Sequence, residues 1–384
     1  MSTSSPLRRL LAGNNTAPTK IIDITTTKAT ITSSRPNCRT PQAIVDYFKR
    51  SSECPKFRRQ RFHYEITVRQ LADANHFSGI EDIIEHQKHC PDIRNEYFVA
   101  RLILLYGKAK MYDNARKLFD EMPQLKCPRT VFSFNALLEA CLKSERYDKI
   151  GGLFRELPQK LSIEPDLVSY NTAIKALCKA GSLDSAVYFM DEMEKHEIKP
   201  NIVTCNTLLN AFHKSKRFSE AENLWAVMEK RHIVPDLYSY NIKLNGLVKA
   251  NEVSEAIQFF EEIVNKGFKP DTFSYNAMIK MCVAERNLEE AKMWYEKMMQ
   301  NGCLPDYATF TMLITLACDA NNFDVAQHLC KKAIKSFKAI YNCLMQRVVD
   351  GLVEHSKIEN TKELVKLAKS CKSFQYELSL PLHN

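Results

Sequence analysis

The chain has 384 residues, is 45% hydrophobic and carries a formal charge of +9. It contains no apolar run near the ~18 residues that a membrane-spanning helix needs, so the reading includes no membrane. Residues 1–60 hold 11 Lys or Arg against Asp23, Asp46 and Glu53, which leaves only +1 for residues 61–384, too little for bulk charge alone to make that part a strong phosphate binder.

Residues 1–40 contain 14 Ser or Thr, a single acidic residue and the segment SPLRRLLAG with paired Arg8 and Arg9. A basic, hydroxyl-rich, acid-poor leader has the composition of a cleavable organellar transit peptide, and its short amphipathic start favours the mitochondrion over the plastid. Residues 41–60 include KR and run into KFRRQR. They fit a basic linker or lead-in helix, or a basic arm that reaches a polyanion.

From Arg61 onward a 35-residue period emerges. Blocks 61–95 and 96–130 carry it weakly: NHFSGIEDIIEHQK and KMYDNARKLFDEM match the later blocks, but Glu65 and Ala100 stand at the fifth position. Block 131–166 holds FSFNALLEAC and ends in EPD, one residue longer than the rest. The extra residue is expected in the loop after LPQK, where an insertion costs little.

Four blocks of equal length then follow in tandem, starting at Leu167, Ile202, Leu237 and Thr272. Each repeats Asn at the fifth position (Asn171, Asn206, Asn241, Asn276), Ala at the twentieth (Ala186, Ala221, Ala256, Ala291) and Pro second from last (Pro200, Pro235, Pro270, Pro305). Apolar residues recurring at three and four, interrupted twice per block, predict two helices per block. The second helix stops before the proline, which cannot continue it. One pair cannot bury both apolar faces alone, so the period implies a stacked array whose repeats touch their neighbours. The alanines suit close helix crossings, and Met190, Trp225, Phe260 and Tyr295 suit packing between pairs. Asp184, Glu220, Glu255 and Glu289 sit where they complement the dipole of each second helix.

The fifth-position Asn fits core packing poorly. Asn is a mediocre helix former and costly to bury unpaired. It also lies about a turn inside the helix, too deep for an N-cap. A row of exposed amides, one per repeat, is expected. After Asp306 the pattern decays: block 307–341 has Thr311 and Tyr341 at its fifth and last positions, and block 342–376 has Gln346 at its fifth. Erosion at the end of a solenoid is the expected polar cap. Residues 377–384 form a short tail.

Thirteen cysteines include no CxxC pair, and they suit small buried hydrophobes rather than metal ligands or disulfides. No GxGxxG, GxxxxGK[ST], HExxH or HxE with PCxxC occurs. The reading is therefore no enzyme, no cofactor, no metal and no small-molecule substrate.

The period, the helix pattern and the Pro-Asp closure together resemble the pentatricopeptide repeat (PPR) family, whose 35-residue signature is close to VxYNxLIxxLxKxGxxxEAxxLFxxMxxxGxxPD. The resemblance covers roughly residues 61–376. It implies an all-α fold, a right-handed superhelical solenoid of about nine helix-turn-helix units. Units 61–130 would be degenerate, the five of 131–306 would bind RNA, and 307–376 would be degenerate or capping. In that family the fifth and last residues of each unit select the base of a single-stranded RNA, and the second residue packs against it. The implied pairs are Asn135 with Asp166, Asn171 with Asn201, Asn206 with Asp236, Asn241 with Asp271, and Asn276 with Asp306. Val168, Val203, Tyr238 and Phe273 would flank the bases, with Phe132 as a further candidate. The implied preference is U, C or U, U, U, U.

The layout also resembles the short PPR proteins associated with plant mitochondrial ribosomes. That implies a mitochondrial matrix protein contacting mRNA or rRNA, with the small ribosomal subunit as a partner in translation. The alternatives are a gene-specific RNA processing or stability factor and a helical protein-docking scaffold; the WxxLGxxY pattern of tetratricopeptide scaffolds is missing.

Overall fold

The computed structural model describes residues 40–337 and 342–369. The leader, Tyr341 and the tail lie outside the described residues. All regular structure among the described residues is helical. A lead-in pair, α1 (Pro41–Ser52) and α2 (Pro55–Arg59), precedes nine helix hairpins. These are α3 (Arg61–Asp73) and α4 (Phe77–Gln87), α5 (Glu96–Lys108) and α6 (Tyr112–Glu121), α7 (Val131–Lys143) and α8 (Ile150–Leu161), α9 (Leu167–Lys179) and α10 (Leu183–Lys195), and α11 (Ile202–Lys214) and α12 (Phe218–Lys230). They continue with α13 (Leu237–Ala250) and α14 (Val253–Asn265), α15 (Thr272–Ala284) and α16 (Leu288–Gln300), α17 (Tyr307–Asp319) and α18 (Phe323–Phe337), and α19 (Asn342–Glu354) and α20 (Ile358–Lys369).

The chain divides into two compact units, Met1–Leu208 and Leu209–Asn384, with the division inside α11. In the first unit, α1 is anchored by buried Val45 and Phe48, so residues 41–52 are an ordered helix whose inner face joins the core. That core continues through Tyr64, Ile80, Ile83, Leu102, Tyr106, Phe119 and Phe134. In the second unit Trp225, Tyr240 and Phe259 form a cluster of ring contacts, and Phe260, Tyr275 and Trp294 form another.

Each hairpin turn uses the same device. The fifteenth residue of every block has positive φ: Asn75, Lys110, Glu145, Gly181, Lys216, Asn251, Arg286, Asn321 and Ser356. A left-handed residue closes a helix because the next amides then turn back to its last free carbonyls, as Gly181 N–H does to Cys178 and Ser182 N–H to Leu177. The twentieth-position alanines are almost fully buried, as close crossings require.

The extra residue of block 131–166 is not in a loop. The LPQK segment lies inside α8 with Pro158 in the helix, and a 3-10 turn at Tyr147–Lys149 leads into it. The insertion is absorbed by lengthening the second helical segment, which still ends on a left-handed residue, Ser162. Most cysteines are buried, with Cys54 and Cys343 exposed. Burial pushes the Cys141 and Cys282 thiols up to about 12, as expected of small apolar side chains. Among the described residues no helix is long and apolar enough to cross a membrane, and no group of three His, Cys, Asp or Glu could hold a metal ion.

Candidate nucleic-acid interface

The last residue of each central block is the N-cap of the next first helix. Asp166, Asp236, Asp271 and Asp306 each accept the N–H of a residue three positions on, and that residue's hydroxyl accepts the cap's own N–H. This reciprocal capping box satisfies donors that a helix start leaves open. The partners are Ser169, Ser239, Ser274 and Thr309. Asn201 plays the same part towards Val203 and Thr204, at 3.0 and 3.1 Å.

The fifth-position amides belong to this cap. Asn135 donates Nδ2–H to Asp166 at 2.9 Å, Asn171 to Asn201 at 3.5 Å, Asn241 to Asp271 at 3.0 Å and Asn276 to Asp306 at 3.1 Å. In return, each amide oxygen accepts the capping-box hydroxyl of the following block, from Ser169, Thr204, Ser274 and Thr309, at 2.5 to 2.7 Å. The side-chain oxygen and nitrogen are thereby assigned by chemistry, because only one orientation satisfies both neighbours. One amide N–H and one oxygen lone pair take no part in these two bonds.

The amides are accordingly not a fully exposed row. Asn135, Asn206 and Asn241 are buried, and Asn171 and Asn276 are half-buried. The physical reason is the cap itself: fixing an amide against a neighbouring helix terminus covers much of its surface. The third-position hydroxyl was missed in reading the sequence, although Ser or Thr recurs there in Ser133, Ser169, Thr204, Ser239, Ser274 and Thr309. That column is fully buried in every case.

Burial works to raise the Asp306 carboxyl, but hydrogen bonds from the Thr309 N–H, the Asn276 amide, the Thr309 hydroxyl and the Ala308 N–H outweigh it and hold the group below the usual carboxylate range. Asp306 is thus a fixed anion and acceptor.

The second-position residues stand beside these amides on the first turn of each first helix. Tyr238 and Phe273 are 59% and 68% exposed and Val203 is 42% exposed, whereas Val168 and Phe132 are half-buried. Large exposed apolar side chains at one register position suit stacking against flat ligands. The degenerate blocks replace the amide differently. Ala100 is buried, Glu65 is held by Arg61 and Lys108, and Glu96 takes over the capping contact by accepting the Thr130 N–H, the Thr130 hydroxyl and the Ser133 N–H. Thr311 turns its hydroxyl onto the Tyr307 carbonyl.

Comparison with known proteins agrees with this geometry. The model of the PPR repeat family matches residues 165–212, 200–249, 239–284 and 270–319, the pentatricopeptide repeat domain matches 95–144, and the PPR repeat matches 132–160. These matches together cover more than half of the chain. A small ribosomal subunit protein of Arabidopsis thaliana, mS79 (rPPR3b), is 51% identical over 156 residues, 41% of this chain and 40% of that protein. A mitochondrial pentatricopeptide repeat-containing protein of the same plant is 46% identical over 135 residues, 35% of this chain and 32% of that protein. The matched segments thus span less than half the length of these relatives. The crystal structure of the pentatricopeptide repeat protein PPR10 from maize superposes with a TM-score of 0.52 at 17% identity, covering 91% of this chain and 57% of that one. This last likeness bears on the fold alone.

Proposed function

The chain belongs to the pentatricopeptide repeat family, and from that premise we propose that it is a non-catalytic RNA-binding protein of the mitochondrial matrix. It contacts single-stranded U-rich RNA and works as a ribosome-associated component in translation. The observation that carries the reading is the oriented amide and carboxylate pair. Each of Asn135, Asn241 and Asn276 is locked against Asp166, Asp271 or Asp306, and offers a remaining amide donor beside a carboxylate acceptor. A uracil edge presents an N–H flanked by two carbonyl oxygens, the complement of that set. Asn201 in place of Asp can accept or donate, which suits either pyrimidine at that unit. Asn206 and Asp236 hold the same fifth and last positions in the sequence of their block.

The exposed second-position side chains supply the stacking surface, at about 1 to 3 kcal/mol per base. That term matters because residues 61–384 carry almost no net charge. One pyrimidine and four U residues recur by chance about once in 500 positions, so base reading alone leaves many competing sites. A ribosomal partner that brings the RNA to the protein resolves this, and the relative named as a small ribosomal subunit protein favours that role. The mitochondrial name of the other relative and the acid-poor leader favour the location.

The test is the binding of the chain to oligo(U) and oligo(A) at one salt concentration, with Asn206→Ala, Asn241→Ala and Asn276→Ala. A preference for oligo(U) that shrinks in each variant is expected. Equal affinity for both homopolymers would overturn base reading and leave a protein-docking scaffold. Sedimentation of the native protein with ribosomes on a sucrose gradient tests the assignment to translation.

A further inference from the structure

We infer that the leading joints of the array form a second RNA-contacting stretch that holds phosphates on three arginines and stacks two bases without selecting them, extending the footprint beyond the five reading units. The inference rests on the RNA-binding role proposed above.

The central joints all read Pro-Asp or Pro-Asn, from Pro165 to Asp306. The leading joints read Arg59-Gln60, Arg94-Asn95 and Arg129-Thr130, so each proline becomes arginine and each anionic cap becomes neutral. The three arginines are 35 residues apart. The helix starts survive the exchange at two of the joints, because Asn95 accepts the Tyr97 N–H at 2.9 Å and Thr130 accepts the Phe132 N–H at 3.1 Å. Capping therefore does not demand the cations.

Nor do ion pairs. Arg59 and Arg94 are exposed and have no carboxylate partner among the described residues, and Arg129 lies over the Phe119 ring at 5.5 Å. Neighbouring Arg58, by contrast, is buried and bound to Asp92. Two acids of these blocks are already engaged, Glu65 by Arg61 and Lys108, and Glu96 by the Thr130 and Ser133 donors. Other exposed cations of these blocks, such as Lys56 and Arg69, also lack a carboxylate partner among the described residues, and what sets the three arginines apart is their recurrence every 35 residues at the positions that replace proline.

Three residues after each arginine stands an aromatic ring at the second helical position, Phe62, Tyr97 or Phe132. Phe62 is 62% and Tyr97 51% exposed, a costly state for such rings in water. Tyr97 and Phe132 lie 4.3 Å apart between centroids, so the row is continuous across that joint. In the units of Phe62 and Tyr97 an unpaired guanidinium and an open ring stand three residues apart, the pairing that single-stranded nucleic acid needs, with a phosphate on the cation and a base on the ring. Of the three units, those of Phe62 and Tyr97 have no fifth-position amide, so their stacking carries no base choice.

The experiment measures anisotropy of labelled RNA with the full chain. A U-rich core is extended by two nucleotides of A, C or U at either end in turn. Extension at one end should raise affinity by at least about tenfold, equally for the three bases. Replacing Arg59, Arg94 and Arg129 together by Gln should abolish that gain and make the salt dependence shallower by roughly 2 in slope, from three released contacts on a single strand. Phe62→Ser with Tyr97→Ser should abolish the gain with the slope retained. No gain from extension, a gain for U alone, or a gain that survives both variants overturns the inference. Loss of the U-over-A preference of the core with the extension gain intact would instead defeat the base-reading proposal and leave this one standing.

Discussion

The Asn241 amide donates to the Asp271 carboxylate across 3.0 Å, and that carboxylate caps the first helix of the following repeat. A residue positioned to read a base is therefore also part of the joint between neighbouring repeats. Asp271→Ala should lower stability by about 1 kcal/mol through the lost cap. Asn241→Ala should lower it by a similar amount, because the Ser274 hydroxyl loses the shorter of its two acceptors and Asp271 loses an amide donor. Asn241→Asp should be worse at neutral pH, since it sets two carboxylates side by side, and should recover as the pH falls. Urea denaturation of the three variants checks this.

The left-handed residues that end the helices give a second expectation. Gly267 has φ +82° and nothing within 4 Å of a Cβ placed there, so Gly267→Ala meets only backbone strain. It should cost about 1 kcal/mol. The reverse change at a left-handed position held by a bulky residue, Arg286→Gly or Glu145→Gly, should raise the melting temperature.

Helix approach gives a third. A Cβ on Gly107 would sit 2.5 Å from the Ala140 Cα, where backbone has to move, while one on Gly151 meets nothing within 4 Å. Gly107→Ala should destabilise by about 1 to 3 kcal/mol or more. Gly151→Ala should be neutral or stabilising by up to about 1 kcal/mol. Melting curves of the two alanines should shift in opposite directions.

The fourth concerns pH. His213 is buried in α11, and a Cβ on Gly246 would lie 2.2 Å from its ring, so the imidazole fills the place that the glycine leaves. Burial lowers its pKa to about 4, with Glu222 opposing and Lys243 and Lys249 reinforcing the shift. The unfolded chain then takes up a proton near pH 6.5 that the folded chain refuses until about 4. The sign follows: stability from this group is complete above about pH 6.5 and falls as the pH drops towards 4. His213→Val, the residue at the same position in Val248 and Val283, should remove that part of the acid sensitivity. Melting temperatures of both proteins between pH 7 and 4 provide the check.

The sequence by itself determined the helix pairs, their number and their joints. Residues such as Ala186, Ala221, Ala256 and Ala291 are buried alike in every block, so a nearest-neighbour packing rule is written into one column of the period. The last-position aspartates and the second-position residues Tyr238 and Phe273 were legible for the same reason, whereas the aspartates' role as helix caps appeared only in the structure. The tertiary structure alone decided how Asn135, Asn171, Asn241 and Asn276 are held, because each partner lies about 30 residues on, at the far end of the block, and a single helix offers no hint of the contact. It also decided that the longer block absorbs its extra residue inside α8, where Pro158 is tolerated, and that Gly246 makes room for His213. Local propensity sets where a helix starts and stops. Which polar group meets which is fixed only when neighbouring helices come within hydrogen-bonding distance.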